Sequence, residues 1–259
     1  MNIGNISFIK QQYETDNNYN KKHIVLWSGG CDSTLLLYEL LESYGSHNVI
    51  AISYNYQWLD STKAQIEHNH REAFKGKMKL LGDQFANFSH SVFEINNTNG
   101  FLNFGGSMTG LPQALGWLFM VPMYANEDSY IYAGYVKEDD FSAGGYRHHY
   151  TNIFDSVNKL IGKDNMTLRL PYTQRSKNEI IEMLIKNEIY NDSWYCEMPP
   201  SKYLTCMECH PCQTHLAALT YLSLFSKDTY VKLTAERKLH HLRSLPNRNN
   251  IMEDNSIKG

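Results

Sequence analysis

Short apolar runs alternate with helical patterns along most of the chain. His23-Ile24-Val25-Leu26-Trp27 is a run of the kind buried on both faces of a parallel sheet. Leu35, Leu36, Leu40 and Leu41 then recur at helical spacing, which predicts a helix from about Asp32 to Tyr44. A second strand, Val49 to Tyr54, precedes a polar helical stretch from about Thr62 to Leu81. Ser91 to Ile95 reads as a third strand, and the apolar stretch Leu111 to Ala125 as a buried helix begun near Pro112. Tyr130 to Gly134 is a fourth strand, Asn152 to Ile161 a helix, and Met166 to Leu170 a fifth strand. Lys177 to Asn187 is a strongly patterned helix with Ser176 as its cap. Five strand–helix alternations predict an α/β fold, a five-stranded parallel sheet with helices on both faces. Ligands then belong at the carboxyl ends of the strands.

Three segments follow from this pattern. Residues 1–20, rich in Asn, Gln and Tyr, show no period and read as a loosely ordered arm. Residues 21–190 carry the alternating pattern. Residues 191–259 change to a cysteine segment followed by helices.

Composition narrows the functions. The chain has 259 residues, 42% apolar and 20% charged, so wholesale disorder is excluded. A net charge of −3 argues against a protein built to grip a phosphate backbone. The stretch Gly110 to Ala125 holds Gln113 and two prolines and falls short of the roughly 20 residues of a membrane span. The first residues lack a basic-then-apolar signal pattern, and a cytoplasmic protein is expected.

Ser28-Gly29-Gly30-Cys31-Asp32-Ser33 lies between the first strand and the first helix. Two glycines permit positive backbone angles, so consecutive N–H groups can point into one concavity. The following helix adds its free N–H groups and positive dipole end. Ser28, Ser33 and Thr34 add hydroxyls, and the result is an anion cradle sized for phosphate or pyrophosphate. Asp32 fits there as a Mg²⁺ ligand or a helix cap. Cys31 reads as a small side chain that fits its slot.

Cys196-x9-Cys206-x2-Cys209-x2-Cys212 is the second constellation. Four thiolates at this spacing make a closed tetrahedral Zn²⁺ site, which staples the chain and performs no chemistry. An iron–sulfur cluster is the competing reading, and His210 or His215 could replace one cysteine.

The glycine string resembles the pyrophosphate motif of the N-type ATP pyrophosphatases, and the cysteine segment is similar to that of the 7-cyano-7-deazaguanine synthase (QueC) family within them. Tyr54-Asn55-Tyr56-Gln57, Gly134 through Asp140-Phe141-Ser142, Arg147, and Leu170-Pro171 with Lys177 and Glu179 extend the resemblance over about residues 23 to 216. Departures fall at Gln113, which stands where the family has an Arg, and at Ala143 to Tyr146. The resemblance implies an adenine nucleotide α-hydrolase-like fold with ATP held by Trp27, Ser28, Gly29, Gly30, Cys31, Asp32, Ser33 and Thr34. The adenine would lie near Ser53 and Tyr54. It implies Asp32, Ser33 and Lys177 as catalytic residues. Gln57, Gln113, Gly134, Asp139, Asp140, Phe141 and Arg147 are implied to contact substrate. The implied reaction joins 7-carboxy-7-deazaguanine to ammonia with ATP and Mg²⁺, giving the nitrile used in queuosine biosynthesis. Three alternatives stay open: a QueC-like ligase with another amine acceptor such as a protein, a tRNA-thiolating enzyme carrying an iron–sulfur cluster, and a non-enzymatic zinc-stapled nucleotide-binding module. A homodimer is compatible with the helical tail, and neither a membrane nor a nucleic-acid partner is expected.

Overall fold

The computed structural model describes residue 9 and residues 21–56, 61–95, 113–125, 128–137, 146–199 and 205–225. The chain divides into two compact units, Met1–Tyr195 and Cys196–Gly259, and each is described by itself. Most of the expected arm at 1–20 and the helical tail beyond 225 lie outside the described residues.

The five expected strands form in the first unit: β1 (Lys22–Leu26), β2 (Val49–Tyr56), β3 (Ser89–Ile95), β4 (Ser129–Tyr132) and β5 (Thr167–Arg169). They make one sheet in the order β3-β2-β1-β4-β5, and every neighbouring pair is parallel. Ile24 on the central strand stands opposite Ile50 on one side and Ile131 on the other. Parallel neighbours need crossovers, supplied by α1 (Cys31–Tyr44), α2 (Ser61–Leu81), α3 (Gln113–Tyr124) and α4 (Tyr146–Leu160), with α5 (Lys177–Lys186) following β5. The chain winds from β1 outward to β3, then returns to β4 on the other side of β1. The order therefore reverses between β1 and β4, the kind of switch point where open α/β sheets bind ligands.

Alternation along β1 divides the core. Val25 and Trp27 join the leucines of α1, Phe74 and Met78 of α2, and Ile180 and Leu184 of α5. Ile24 and Leu26 join Leu118 and Val121 of α3 and Phe154 of α4. Leu35, Leu36, Leu37, Leu40 and Leu41 are fully buried, and each such leucine contributes roughly 1.5–3 kcal/mol. This burial fixes the direction of α1 as it leaves the glycine turn.

One helix boundary differs from expectation. α4 begins at Tyr146, six residues earlier than the pattern suggests, because Tyr150, Phe154 and Val157 continue one inward-facing row. α3 accommodates Pro122 in its last turn. Lys163 there donates to the carbonyls of Pro122 and Ala125 at 2.7 and 2.6 Å, capping the helix end with a cation. Among the described residues no helix is long and apolar enough to cross a membrane.

In the second unit α6 (His210–Phe225) buries His215, Ala218, Leu219 and Leu222 along one face.

Candidate active site and metal centre

The turn from β1 into α1 sits at the strand-order reversal. Gly29 adopts φ +91°, a conformation a side chain would strain. A Cβ there would also stand 3.0 Å from the Glu67 carbonyl oxygen and 3.2 Å from Arg71 Cγ. Gly30 is the N-cap residue. The Ser28 hydroxyl accepts from Gly30 N–H at 3.1 Å and lies 3.1 Å from the Ser33 hydroxyl.

The cradle is narrower than the string suggests. Cys31 N–H donates to the Trp194 carbonyl at 3.2 Å, and Trp194 N–H donates back to Gly29 at 2.9 Å. These bonds clip the segment before the end of the first unit onto the loop as an isolated parallel bridge. Gly30 N–H is held by Ser28. The first intrahelical bond is Thr34 N–H to the Gly30 carbonyl. Asp32 and Ser33, in the first turn of α1, have no intrahelical acceptor for their N–H groups. Gly134, just past β4, presses on the same spot: a Cβ would lie 3.0 Å from Asp32 C and 3.1 Å from Ser33 N. A side chain at 134 would fill the space in front of those donors.

Lys177, the first residue of α5, donates to both oxygens of Asp32 at 2.7 and 2.6 Å. Asp32 therefore serves in this structure as a lysine partner in the first turn of α1. The pair is partly exposed, 13% for Lys177 and 23% for Asp32, so both remain within reach of a ligand. Ser176 and Glu179 form a reciprocal capping box that fixes where α5 begins. The N–H of Ser176 chiefly holds the Glu179 carboxyl below its ordinary range.

Several residues expected to touch ATP are packed inside. Trp27 is buried against Phe74, Phe88 and His90, and its indole donates to the buried Thr34 hydroxyl at 3.0 Å. Ser53 donates to the Trp27 carbonyl and meets His90 Nε2 at 2.9 Å. Tyr54 packs on Phe93 beneath α3. Contacts from these positions to a ligand would come from backbone atoms. The Cys31 thiol is buried, 3.3 Å from the Ser193 hydroxyl, and burial pushes it up to about 11. Such a buried thiol differs from the exposed, low-pKa setting of reactive cysteines.

Arg147 is exposed on the first turn of α4 and donates to Thr173 at 3.3 Å. Arg169 is committed elsewhere: its guanidinium lies 3.5 Å over the Tyr130 ring and donates to Tyr132. Gln57, Asp139, Asp140 and Phe141 lie outside the described residues, as does the side chain of Gln113.

Sequence reasoning missed Arg71. It is fully buried and donates to the Ser28 carbonyl at 2.8 Å and to Asn55 at 2.8 Å. A cation thus lies under the loop. An arginine in a polar helix gives no local sign of this, because the contact is across 43 residues. Burial is the chief influence lowering its pKa.

In the second unit, Cys196, Cys206, Cys209 and Cys212 place their thiols within 4.8 Å of one another, with Cys206 and Cys212 at 3.9 Å. Met207 takes φ +63° in the turn that brings Cys206 and Cys209 together. Backbone N–H groups donate to three of the sulfurs: Cys206 to Cys196, Cys209 to Cys206, and Glu197 to Cys209. The N–H groups of Cys209 and Glu208 pull the Cys206 thiol down to about 6, while burial raises the thiols of Cys196 and Cys212. A tetrahedral ion with metal–sulfur bonds of about 2.3 Å spaces its thiolates by roughly 3.8 Å, so the group fits one shared ion. His210 is exposed, His215 is buried, and neither belongs to the four-thiol group.

A model of the family described as queuosine biosynthesis protein QueC matches residues 118–223. No curated protein matches the chain. Among solved structures, the chain is similar to the U34-tRNA thiolase NcsA from Methanococcus maripaludis with its [4Fe-4S] cluster, at 15% identity and a TM-score of 0.46, covering 90% of this chain and 79% of that one. It is also similar to the glutamine-dependent NAD⁺ synthetase from Acinetobacter baumannii in complex with ADP, at 14% identity and a TM-score of 0.41. That match covers 68% of this chain and 31% of the synthetase.

Proposed function

We propose that this chain, a divergent QueC-like member by its match over residues 118–223, is an enzyme that activates a deazaguanine carboxylate with ATP. The observation that carries the reading is the donor set at the β1–α1 turn. Asp32 and Ser33 N–H, the paired Ser28 and Ser33 hydroxyls and the Lys177 ammonium converge there, with Gly134 keeping the space open. Such a set suits a pyrophosphate leaving group.

A carboxylate resists attack by an amine until one oxygen becomes a leaving group. Its oxygen attacks the α-phosphorus of ATP, the bond to the β-phosphate oxygen breaks, and pyrophosphate departs. Ammonia then attacks the acyl carbon and AMP leaves, giving an amide. A second ATP activates the amide oxygen in the same way, and loss of AMP and protons leaves the nitrile. The chain's part is to hold the phosphates in line and offset charge on the departing pyrophosphate. Lys177 is the residue placed for the second task. Mg²⁺ accompanies the nucleotide as its counter-ion, and Asp32 is the loop carboxylate that would face it. The four thiolates would hold Zn²⁺ as a closed staple with no position for substrate. A four-iron cluster, each iron bound to its own cysteine, would hold the sulfurs farther apart than one shared ion does.

The test is product analysis after mixing the protein with Mg²⁺, ATP and 7-carboxy-7-deazaguanine, with and without ammonia. AMP, pyrophosphate and an ammonia-dependent nitrile are expected. AMP without amide or nitrile would move the assignment to another amine acceptor, and no AMP would remove the deazaguanine carboxylate.

A further inference from the structure

Two ion pairs join α1 to the start of α5. Asp32 meets Lys177, and two helical turns along α1 Glu39 meets Arg175 at 3.0 Å. Asp32 and Glu39 are seven residues apart and so share a face of α1. Arg175 and Lys177 flank the Ser176 cap. The inner pair is almost wholly buried, with 3% of the Glu39 side chain and 11% of the Arg175 side chain exposed. Each Glu39 oxygen has its own donor: Oε1 takes Arg175, and Oε2 takes the Tyr172 hydroxyl at 2.8 Å. The turn carrying these donors is tied down twice more. Arg175 N–H donates to the Tyr172 carbonyl, and the Arg175 carbonyl accepts from Lys137 just after β4.

A lysine ends in a point charge on a flexible stem, and a partly exposed pair with Asp32 does not by itself fix its position. A guanidinium held over a carboxylate that a tyrosine also orients is directional. We propose that the buried Glu39–Arg175–Tyr172 network is a positioning device, which sets the first residue of α5 so that Lys177 stands over the nucleotide loop. When phosphate draws the Lys177 ammonium from Asp32, the inner network keeps the start of α5 in place. Glu39 is thus a positioning residue that acts through Arg175 and touches no substrate.

The nucleotide part of this rests on the proposed function, so the experiment has an arm that does not. The full chain is pulse-acylated with an amine-reactive acetyl ester, and each lysine is followed by peptide mass spectrometry. Asp32→Asn calibrates the reporter by raising Lys177 acylation. Glu39→Gln and Arg175→Met are expected to raise Lys177 acylation several-fold while exposed Lys79 keeps its parental rate. Mg·ATP affinity is expected to fall about tenfold in the same variants. Removing one partner leaves a buried charge and can unfold a protein, so Glu39→Leu with Arg175→Met removes both charges together. That double variant is expected to fold and still to expose Lys177. A folded variant of either kind with Lys177 acylated at the parental rate would reduce the network to a stability contact. If the parent itself fails to bind Mg·ATP, the nucleotide reading falls, and the acylation result still decides the positioning.

Discussion

The ammonium of Lys177 lies across the carboxylate of Asp32, 2.7 Å from one oxygen and 2.6 Å from the other, although 145 residues separate them. The pair stands at the first turn of α1, where the helix dipole already favours negative charge. Lys177 cancels the charge that Asp32 would otherwise present to an incoming phosphate. The acid of the glycine string is therefore neutralised from another element.

Removing that cation should weaken catalysis more than folding. Lys177→Met is expected to lower pyrophosphate release about tenfold to a hundredfold, since a hydrogen bond to a charged group is worth roughly 1.5–3 kcal/mol. Melting temperature should change little because the pair is partly exposed. Parallel pyrophosphate-release and thermal-melt measurements check this; parental release by the variant would remove Lys177 from the reaction.

Gly29→Ala and Gly134→Ala test the cradle from two sides. At Gly29 the side chain meets the Glu67 carbonyl and a positive φ, and at Gly134 it meets the first turn of α1. Each should cost about 1–3 kcal/mol of stability. Each should also abolish most of the rise in melting temperature that Mg·ATP gives the parent. A nucleotide-induced rise as large as the parent's in the Gly134 variant would show that the ligand sits elsewhere.

The four-thiol group should yield colourless protein with about one zinc per chain. Cys206→Ser or prolonged chelation should loosen residues 196–225, measured as faster amide exchange there. Structural zinc contributes on the order of 10 kcal/mol or more in small domains. Iron and sulfide in the purified protein would instead decide for a cluster and favour the thiolation chemistry.

Acid should destabilise the fold through buried His23 and half-buried His90. Burial first, then Arg169 and Lys22, holds His23 down to about 3. Burial first, then Arg71 and Lys75, holds His90 down to about 4. The unfolded chain protonates both near 6.5, so below that pH it binds more protons than the folded chain, and stability falls as pH falls. The contribution is fully present above about 6.5 and is lost through about 4 and about 3, at about 1.4 kcal/mol per unit of depression. Urea melts across this range should show the loss, and His90→Gln should make it shallower. An unchanged slope in that variant would place the acid sensitivity in other groups.

Strand identity and order of appearance were legible because buried parallel strands must be continuous apolar runs, as in Val25 and Trp27 facing α1 while Ile24 and Leu26 face α3. The glycine string was legible for a similar local reason: only glycine takes the Gly29 angle without strain. The four cysteines were legible because close spacing lets thiols turn toward one ion. These features depend on neighbours a few residues away.

The rest depends on which distant segments the sheet brings together. Nothing near Asp32 in the sequence indicates Lys177. Nothing near Ser28 indicates Arg71, and nothing near Cys31 indicates the Trp194 carbonyl that takes its N–H. The sequence by itself determined that the chain carries a glycine turn between a strand and a helix and four closely spaced cysteines. The family resemblance already assigned Lys177 to that turn; only the tertiary structure showed that it pairs with Asp32, that Arg71 lies under the loop and that Trp194 takes the Cys31 N–H. The physical reason is that a hydrogen bond or ion pair is set by distance in space, and the winding of β4 and β5 beside β1 is what closes 145 residues of chain to under 3 Å.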